Sequence, residues 1–393
     1  MGTRHFPVFA GALRLFLGAL SLCLFPAADG LAQVRPRQQS GTERGEFADG
    51  FSRVAWIREL TDGRVIIADQ LEQRLLIADF RTGRLEDIAR KGPGPGEFEY
   101  IDALIALGAD STLVEDRRSR RWLIFHATKA VATLSIPPSA RAPNSFLRGA
   151  GPRGRLLDLQ STAFRRSPGV PFTRGRQNAE SLLVVIRYLN VKPPGGLQTR
   201  VDTVTTLRGR ARGQTVAMRR AVSGASPIRW WLESPLAAEE QAVLFPDGWI
   251  ALARAEPYRV DWITPEGRRI SGPPIDVPPV AVDDAVKRAF VEWKYPKVTP
   301  QFTNSELPPW PRVLPPFLND AVFAAPDGRL VIRRVTYPIA NGTHYDIVNR
   351  AGKVTGRMAL RADERIVGFG AGSAYIVRRD GDEVEWLSRQ RWP

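Results

Sequence analysis

The chain has 393 residues and a formal net charge of +15, carried by 56 lysines and arginines against 41 acidic residues. It contains one cysteine, which excludes an intrachain disulfide framework and a zinc site built from several thiolates. A charge this positive is typical of nucleic-acid-binding proteins. The N-terminal segment indicates export instead, so we expect no nucleic-acid partner.

Residues 1–32 are typical of a signal peptide. Two arginines precede and flank an apolar run from Ala10 to Phe25, and the small residues Gly30 and Ala32 stand at the −3 and −1 positions of a cleavage site. The apolar run is too short for a stable membrane-spanning helix. We therefore expect an exported protein, periplasmic or secreted, with no transmembrane segment after signal removal.

A unit of short apolar strands and tight turns recurs six times after residue 50. The first copy spans Val54 to Ile88 and the second Ile101 to Leu134, while the third, from about Ser145, is the least regular. Asp-Gly pairs mark the first hairpin in several copies, because glycine adopts the positive φ of a tight hairpin turn at no steric cost. The repetition predicts an all-β fold, a six-bladed β-propeller in which each sheet is one blade.

Six four-stranded units account for only about 240 to 270 residues. The rest is assigned to a linker at 33–50 and to three insertions within the propeller region 51–393, at about 162–181, 207–231 and 277–317. The last insertion contains a predicted helix at 283–294. Asp283 is its expected N-cap, and Val286 and Phe290 share one face.

The stretch "GPGPGEF" (92–98) raises the question of a phosphate-binding loop. Such a loop binds through consecutive backbone N–H groups, and Pro93 and Pro95 remove two of them. Alternating glycine and proline turns a chain sharply without continuing a strand. The stretch is therefore interpreted as the connector from the outer strand of the first blade to the inner strand of the second.

Several phrases resemble the NHL/TolB-like six-bladed β-propellers, which are exported bacterial proteins. They are "DGRVIIAD", "RLLIADFRTGRL" and "GPGPGEF" in the first copies, and "YRVDWITPEGR" and "AYIVRRDGDEVEWL" in later ones. The resemblance covers most of the chain after the signal. It implies the fold more firmly than an activity, because the relatives include lactone hydrolases, lyases and binding or scaffold proteins.

Aligning the copies on their first turn gives one equivalent position at the end of each second strand. These positions are Asp69, Asp116, Gln160, Arg254, Arg334 and Arg379. Three consecutive blades carry an acid or amide and three carry arginine. We expect a polarised rim whose arginine half binds a carboxylate, sulfate or phosphate through bidentate hydrogen bonds. The alternative is that each side chain caps a loop or pairs with a neighbour.

Three further carboxylates, Asp102, Glu240 and Asp320, lie near the starts of inner strands. Carboxylate oxygens are ligands for Ca²⁺, and the resemblance implies a calcium site of the lactonase-like type there. The chain departs from that pattern, because the family's full Glu, Asn and Asp set has no match and Asn319 is the only nearby amide. The alternative is solvated strand ends and no cofactor.

The sequence favours a binding or scaffold module with a small molecule, glycan or peptide bound at the channel mouth beneath the insertions. The alternative from another class is a metal-dependent hydrolase or lyase of the lactonase-like propeller type. A third hypothesis is attachment to anionic envelope polymers through the basic stretch Arg208 to Arg220. Such attachment would weaken with added salt.

Overall fold

The computed structural model describes residues 47, 49–136, 145–161, 181–192, 196–209, 212–218, 228–233, 236, 238–294, 310–338 and 342–392. The chain divides into two compact units, residues 1–31 and 32–393, and all described residues belong to the second. The predicted signal peptide lies outside the described residues.

Six antiparallel sheets form a ring, which confirms the predicted six-bladed β-propeller. Blade 1 comprises β1 (Val54–Glu59), β2 (Val65–Asp69), β3 (Arg74–Asp79) and β4 (Arg84–Arg90). Blade 2 comprises β5 (Ala103–Ala106), β6 (Ser111–Asp116), β7 (Arg121–His126) and β8 (Lys129–Ser135). Blade 3 comprises β9 (Ser145–Gly151), β10 (Arg155–Ser161), β11 (Ser181–Lys192) and β12 (Gly196–Arg208).

A separate hairpin, β13 (Arg212–Met218) and β14 (Ile228–Glu233), follows blade 3. Blade 4 comprises β15 (Gln241–Leu244), β16 (Ile250–Ala255), β17 (Tyr258–Ile263) and β18 (Arg269–Ser271). Blade 5 comprises β19 (Val322–Ala324), β20 (Leu330–Arg334), β21 (Thr343–Val348) and β22 (Val354–Leu360), and blade 6 has β23 (Glu364–Gly370), β24 (Ser373–Arg379) and β25 (Glu385–Arg391). The first strand of each blade contacts the first strands of its two neighbours, so these strands line the centre of the ring.

The Asp-Gly turns fold as predicted. Gly63, Gly248 and Gly328 have φ values of 84°, 92° and 81°, in the left-handed region that glycine enters without strain. Each turn joins the first two strands of its blade in antiparallel register. These local signals therefore set where the inner hairpins of blades 1, 4 and 5 begin and end.

The ring closes between its first and last blades. Phe51 and Glu385 exchange two backbone hydrogen bonds of 2.8 Å, so the segment preceding β1 pairs with β25 of blade 6. The Glu385 carboxylate accepts a bond of 2.7 Å from the backbone N–H of Val54 and bonds of 2.8 Å from Arg365. Both ends of the described chain thus stabilise the same seam.

The core consists of six apolar clusters, one at each seam between neighbouring blades. The seam between blades 4 and 5 is typical, with Phe245, Trp262 and Phe317 all fully buried. Burying a large apolar side chain stabilises a fold by about 1.5 to 3 kcal/mol. Each blade is a separate hydrogen-bonded sheet. Neighbouring blades are therefore held together mainly by the apolar side chains at these seams.

The predicted helix is present as α1 (Asp284–Lys294). The Asp283 carboxylate accepts a hydrogen bond of 2.9 Å from the backbone N–H of Val286, as an N-cap does. Phe290 meets Trp310 edge to face, with ring centroids 5.6 Å apart. Among the described residues, no helix has both the length and the apolar character that membrane crossing requires.

"GPGPGEF" is the connector from β4 to β5, as predicted. Phe98 is fully buried in the seam between blades 1 and 2, and the backbone N–H of Gly92 donates to the Phe98 carbonyl at 3.0 Å. Gly96 has a φ of 76°, and a Cβ there would lie 2.9 Å from the Ala130 methyl group. Glycine is needed at this position for both its conformation and its size.

Candidate functional site

One face of the propeller collects the chain segments that enter the inner strands. Asp102 and Glu240 immediately precede β5 and β15, Asp320 lies two residues before β19, and Arg117 immediately follows β6. The backbone N–H of Arg117 donates to the Asp102 carboxylate at 2.8 Å, which brings a loop after a second strand against an entering segment. We call this side the connector face.

Asp69 and Asp116 also link an entering segment to the end of a second strand on the connector face. Asp69 accepts hydrogen bonds from the backbone N–H groups of Ser52 and Arg53, at 2.8 and 3.1 Å. Asp116 accepts from the backbone N–H of Glu99 at 2.9 Å and also pairs with Arg121. Both carboxylates are buried. Each fixes an entering segment against the end of the second strand of its own blade.

The arginines of the predicted rim bond to groups within the protein. Arg254 contacts the carboxylates of Glu240 at 2.9 Å and Asp261 at 3.2 Å. Arg334 lies 3.7 Å from the buried carboxylate of Asp346. The contacts of Arg254 use much of the hydrogen-bonding capacity that an anion would need, whereas the Nε of Arg334 is buried without a hydrogen-bond partner among the described residues.

Gln160 and Arg379 complete the six rim positions. The Gln160 amide donates to Asp158 of the same strand at 3.2 Å. Arg379 pairs with Glu383 at 3.3 Å, and both side chains are more than half exposed. The contacts in the structure join Arg254 to Glu240 but do not bring the six rim side chains to a common point.

The predicted metal ligands do not fit a calcium site. Glu240 accepts from the Arg208 backbone N–H and from Arg254, both at 2.9 Å. Asp320 bonds to Arg148 at 2.8 Å. Burial raises the pKa of the Asp102 carboxyl, which disfavours the charged form that calcium would need. Across the described part of the chain, no three His, Cys, Asp or Glu side chains converge to hold a metal ion.

A different group of side chains gathers on the connector face: Arg117, Phe146, Arg148 and Asp320, which we call the mouth cluster. The guanidinium carbon of Arg117 lies 4.7 Å from the Phe146 ring centroid, and that of Arg148 lies 5.8 Å from it. Two cations therefore share one aromatic ring, which attracts them through its quadrupole. Phe146 remains 40 % exposed, so the cluster is open to solvent.

Arg148 and Asp320 form an ion pair that skips a blade. Arg148 lies on the inner strand β9 of blade 3, and Asp320 lies two residues before β19 of blade 5, with β15 of blade 4 between them in the ring. Their closest nitrogen and oxygen are 2.8 Å apart. The pair therefore reaches over the blade 4 side of the channel mouth.

Arg117 has no carboxylate in an ion pair with it, unlike Arg148, among the described residues. Within the described residues its guanidinium forms no ion pair, and its side chain is half-buried against Phe146. Arg333 lies nearby, with a hydrogen bond of 3.4 Å to the backbone carbonyl of Asp320. The mouth cluster thus combines an excess of positive charge with an exposed aromatic face.

A buried carboxyl group lies beneath the mouth cluster, at the seam of blades 2 and 3. Glu115 is two residues before Arg117 on the same side of β6 and is 4 % exposed. Burial raises its pKa to about 7, and the positive charge of Arg117 opposes that rise. Its side chain accepts one hydrogen bond, of 3.4 Å, from the Trp122 indole.

An apolar cleft also opens beside α1. It is lined by Leu236, Val286, Phe290, Leu314, Val335, Thr336 and Tyr337. The first two are buried and most of the others partly so. The cleft is a continuation of the packing that fixes α1 on blade 5, and it has no charged side chain in its lining.

Sequence reasoning missed Arg117, Phe146, Arg148 and Glu115. The alignment of the copies selected one position at the end of each second strand, and Arg117 lies one residue beyond Asp116. Phe146 and Arg148 lie in the least regular copy, where no turn signal of the Asp-Gly type marks the inner strand. An exposed phenylalanine at the start of an inner strand was the available signal.

Comparisons with known proteins find distant similarity to solved structures. Neither a known protein family nor a curated protein sequence matches this chain. Solved structures with a similar fold include a gluconolactonase from Xanthomonas campestris (8 % identity, 88 % of both chains, TM-score 0.42) and virginiamycin B lyase from Staphylococcus aureus (11 % identity, 89 % of this chain and 86 % of that one, TM-score 0.37). A calcium-binding regucalcin from Agrobacterium tumefaciens is similar at 11 % identity over 88 % of this chain and 94 % of that one, with a TM-score of 0.37. At these values no activity, ligand or site carries over to this chain.

Proposed function

We propose that this protein is an exported binding module of the NHL/TolB-like propeller type, which binds a small anionic ligand at the mouth cluster. The observation that carries the proposal is the pair of guanidinium groups of Arg117 and Arg148 around the exposed ring of Phe146. Guanidinium groups bind carboxylates and phosphates through paired hydrogen bonds. An aromatic face beside them binds the apolar side of a sugar or another ring.

The position of the mouth cluster supports this proposal. Propellers line their central channel with inner strands, and the cluster stands where β9 begins and where the segment before β19 arrives. Arg117 is held there by two elements, because its backbone N–H bonds to Asp102 and its side chain packs on Phe146. A guanidinium fixed before the ligand arrives loses less conformational entropy on binding.

The alternative of a metal-dependent hydrolase or lyase has weaker support. Its main requirement is a set of free carboxylates at the channel mouth. Glu240 and Asp320 are instead paired with Arg254 and Arg148, and each loses an oxygen lone pair to that contact. A binding role needs only the charges that the mouth cluster already offers.

The test is calorimetric titration of the purified protein at low ionic strength with three matched sugars. Galactose is neutral, galacturonate carries a carboxylate and galactose 6-phosphate carries a phosphate at the same carbon. We expect both anions to bind and the neutral sugar not to bind. Arg117→Gln and Arg148→Gln should each weaken binding by about tenfold, the effect of losing a hydrogen bond to a charged group.

Arg200→Gln is the matched control. Arg200 also stacks over an aromatic ring, that of Tyr188 at 5.4 Å, and also pairs with a neighbouring aspartate, Asp202. It lies on the outer strand β12, away from the channel. The proposal is wrong if Arg200→Gln weakens binding as much as the mouth variants do. It is also wrong if neither sugar anion binds and benzoate and inorganic phosphate at high concentration fail to bind as well.

A further inference from the structure

We infer that Asp320 occupies the place of a ligand carboxylate in the mouth cluster, and that the protein binds carboxylate ligands by exchanging them for Asp320 on Arg148. This inference rests on the proposed function and adds to it the ligand class and the event that admits the ligand. The geometry of the pair is its starting point.

The two partners of this ion pair differ in how firmly they are held. The side chain of Arg148 is 27 % exposed and that of Asp320 is 70 % exposed. Arg148 projects from the middle of β9 and lies near Phe146, whereas Asp320 belongs to a short segment outside any strand. The arginine is the fixed partner, and the carboxylate is the one that can leave.

The backbone at Asp320 is held in place to present this side chain. Asp320 has a φ of 50°, in the left-handed region that few residues other than glycine, asparagine and aspartate adopt. The Gln241 side chain fixes the next residue, because its Oε1 accepts from the backbone N–H of Ala321 at 3.0 Å. Arg333 donates to the carbonyl of Asp320 itself. The backbone is fixed by neighbours, while the carboxylate depends on Arg148.

Replacing Asp320 on Arg148 by a ligand carboxylate costs little free energy, and the ligand is also attracted by a second cation. An exposed ion pair contributes little to stability, so breaking it is a small penalty. A ligand carboxylate on Arg148 also feels the positive charge of Arg117, since both guanidinium groups stack on the ring of Phe146. Asp320 forms no ion pair with Arg117. The incoming carboxylate can therefore be held more strongly than the internal one that it replaces.

The chemistry of the site favours a carboxylate over a phosphate. The internal partner is itself a planar carboxylate, and it satisfies Arg148 with one oxygen at 2.8 Å. A ligand carboxylate reproduces this contact with one oxygen and keeps its second oxygen for another donor of the mouth cluster. A phosphate monoester is larger and carries more charge, and its binding relative to the carboxylate is one outcome of the test.

The decisive variant is Asp320→Asn, which removes the internal competitor but keeps its shape and its tolerance of positive φ. We expect galacturonate to bind this variant about three- to tenfold more tightly than the unaltered protein, because an exposed pair no longer competes. Asp320→Gly, which also accepts the left-handed backbone, should change affinity in the same direction. Both variants are first checked for an unaltered unfolding transition.

Asp202→Asn is the matched control for net charge. Asp202 pairs with Arg200 at 2.8 Å beside an aromatic ring, yet on an outer strand. With this comparison made at about 0.15 M salt, its loss should leave galacturonate affinity within about twofold, since charges beyond a Debye length of about 8 Å are screened. A gain in this control equal to that of Asp320→Asn would show a general charge effect and overturn the inference.

The remaining outcomes separate the inference from the function on which it rests. If galacturonate binds, Arg148→Gln weakens binding by about tenfold and Asp320→Asn leaves affinity unchanged or weaker, the proposed function stands and the exchange is wrong. If neither the unaltered protein nor Asp320→Asn binds any anion, the proposed function itself fails. If galactose 6-phosphate gains more than galacturonate from Asp320→Asn, the assignment of a carboxylate is wrong.

Discussion

Two buried carboxyl groups lie at two different seams of the propeller in very different surroundings. Asp346, at the seam of blades 4 and 5, is inaccessible to solvent and accepts hydrogen bonds from Tyr258 at 2.9 Å and from Arg357 at 3.1 Å. Arg334 lies 3.7 Å from it as well. Glu115, at the seam of blades 2 and 3, accepts one long bond from an indole. One carboxylate is fully compensated and the other is not.

The difference shows which arginines are available to a ligand. At the seam of blades 4 and 5, the arginines serve the buried carboxylate and stabilise the fold. At the seam of blades 2 and 3, Arg117 points past Glu115 to the connector face, where it stacks on Phe146. The charge of Asp346 is thus matched within its seam, whereas Glu115 has no arginine paired with it there among the described residues.

Among the predicted effects on the free energy of unfolding, the loss on removal of the Asp346 carboxylate should be the largest. In Asp346→Ala, the Tyr258 hydroxyl and the mostly buried guanidinium of Arg334 lose their acceptor, and the partly exposed Arg357 loses its partner. Breaking a buried ion pair from one side costs about 3 to 5 kcal/mol. We expect a loss of this size in the free energy of unfolding, measured by urea denaturation.

Asp363→Ala is the control for that substitution. Its carboxylate also pairs with an arginine, Arg361, but this pair lies on the surface. Its loss should change the free energy of unfolding by less than about 0.5 kcal/mol. Equal losses in the two variants would contradict the view that Asp346 is a structural centre.

How far the sequence predicts this molecule depends on the distance over which each signal acts. Asp62-Gly63 and Asp327-Gly328 each set one hairpin through local backbone geometry, and repetition of such units was enough to predict the ring. The pair of Arg148 and Asp320 is separated by 172 positions and by one whole blade. It depends on how the ring closes, which no local pattern records.

The predicted rim illustrates the same limit. Alignment of the copies correctly found that position 69 and its equivalents share one place in the blade, at the end of the second strand. It could not show that Asp69 is used by the backbone of Ser52, or Arg254 by Glu240. Equivalent positions share a location in a repeat, but their partners depend on the neighbouring blade.

Glu115 should cause the next largest effect, a dependence of the free energy of unfolding on pH. Its folded pKa, about 7, lies above its ordinary value of 4.5. Between these two values the folded protein holds a proton that the unfolded chain has released, so stability falls as pH rises through this interval and stays low above it. The loss amounts to about 3 kcal/mol.

Glu115→Gln should remove that part of the pH dependence. Unfolding by urea at pH 5, 6, 7 and 8 measures it as the difference between the variant and the unaltered protein, in which the other titrating groups largely cancel. We expect the variant to gain stability relative to the unaltered protein as the pH rises from 5 to 8. Parallel curves would show that Glu115 does not titrate in this range.

The smallest expected effect links that carboxyl group to the mouth cluster. The positive charge of Arg117 lowers the pKa of Glu115 against the larger rise caused by burial. In Arg117→Gln the pKa of Glu115 should therefore rise further, and the fall in stability should extend to higher pH. Arg118→Gln is the control, because Arg118 is the next residue and also stacks on an aromatic ring, that of Tyr100, yet it does not act on Glu115. If both variants keep the pH dependence of the unaltered protein, the two groups are independent, and the seam of blades 2 and 3 is as self-contained as the seam of blades 4 and 5.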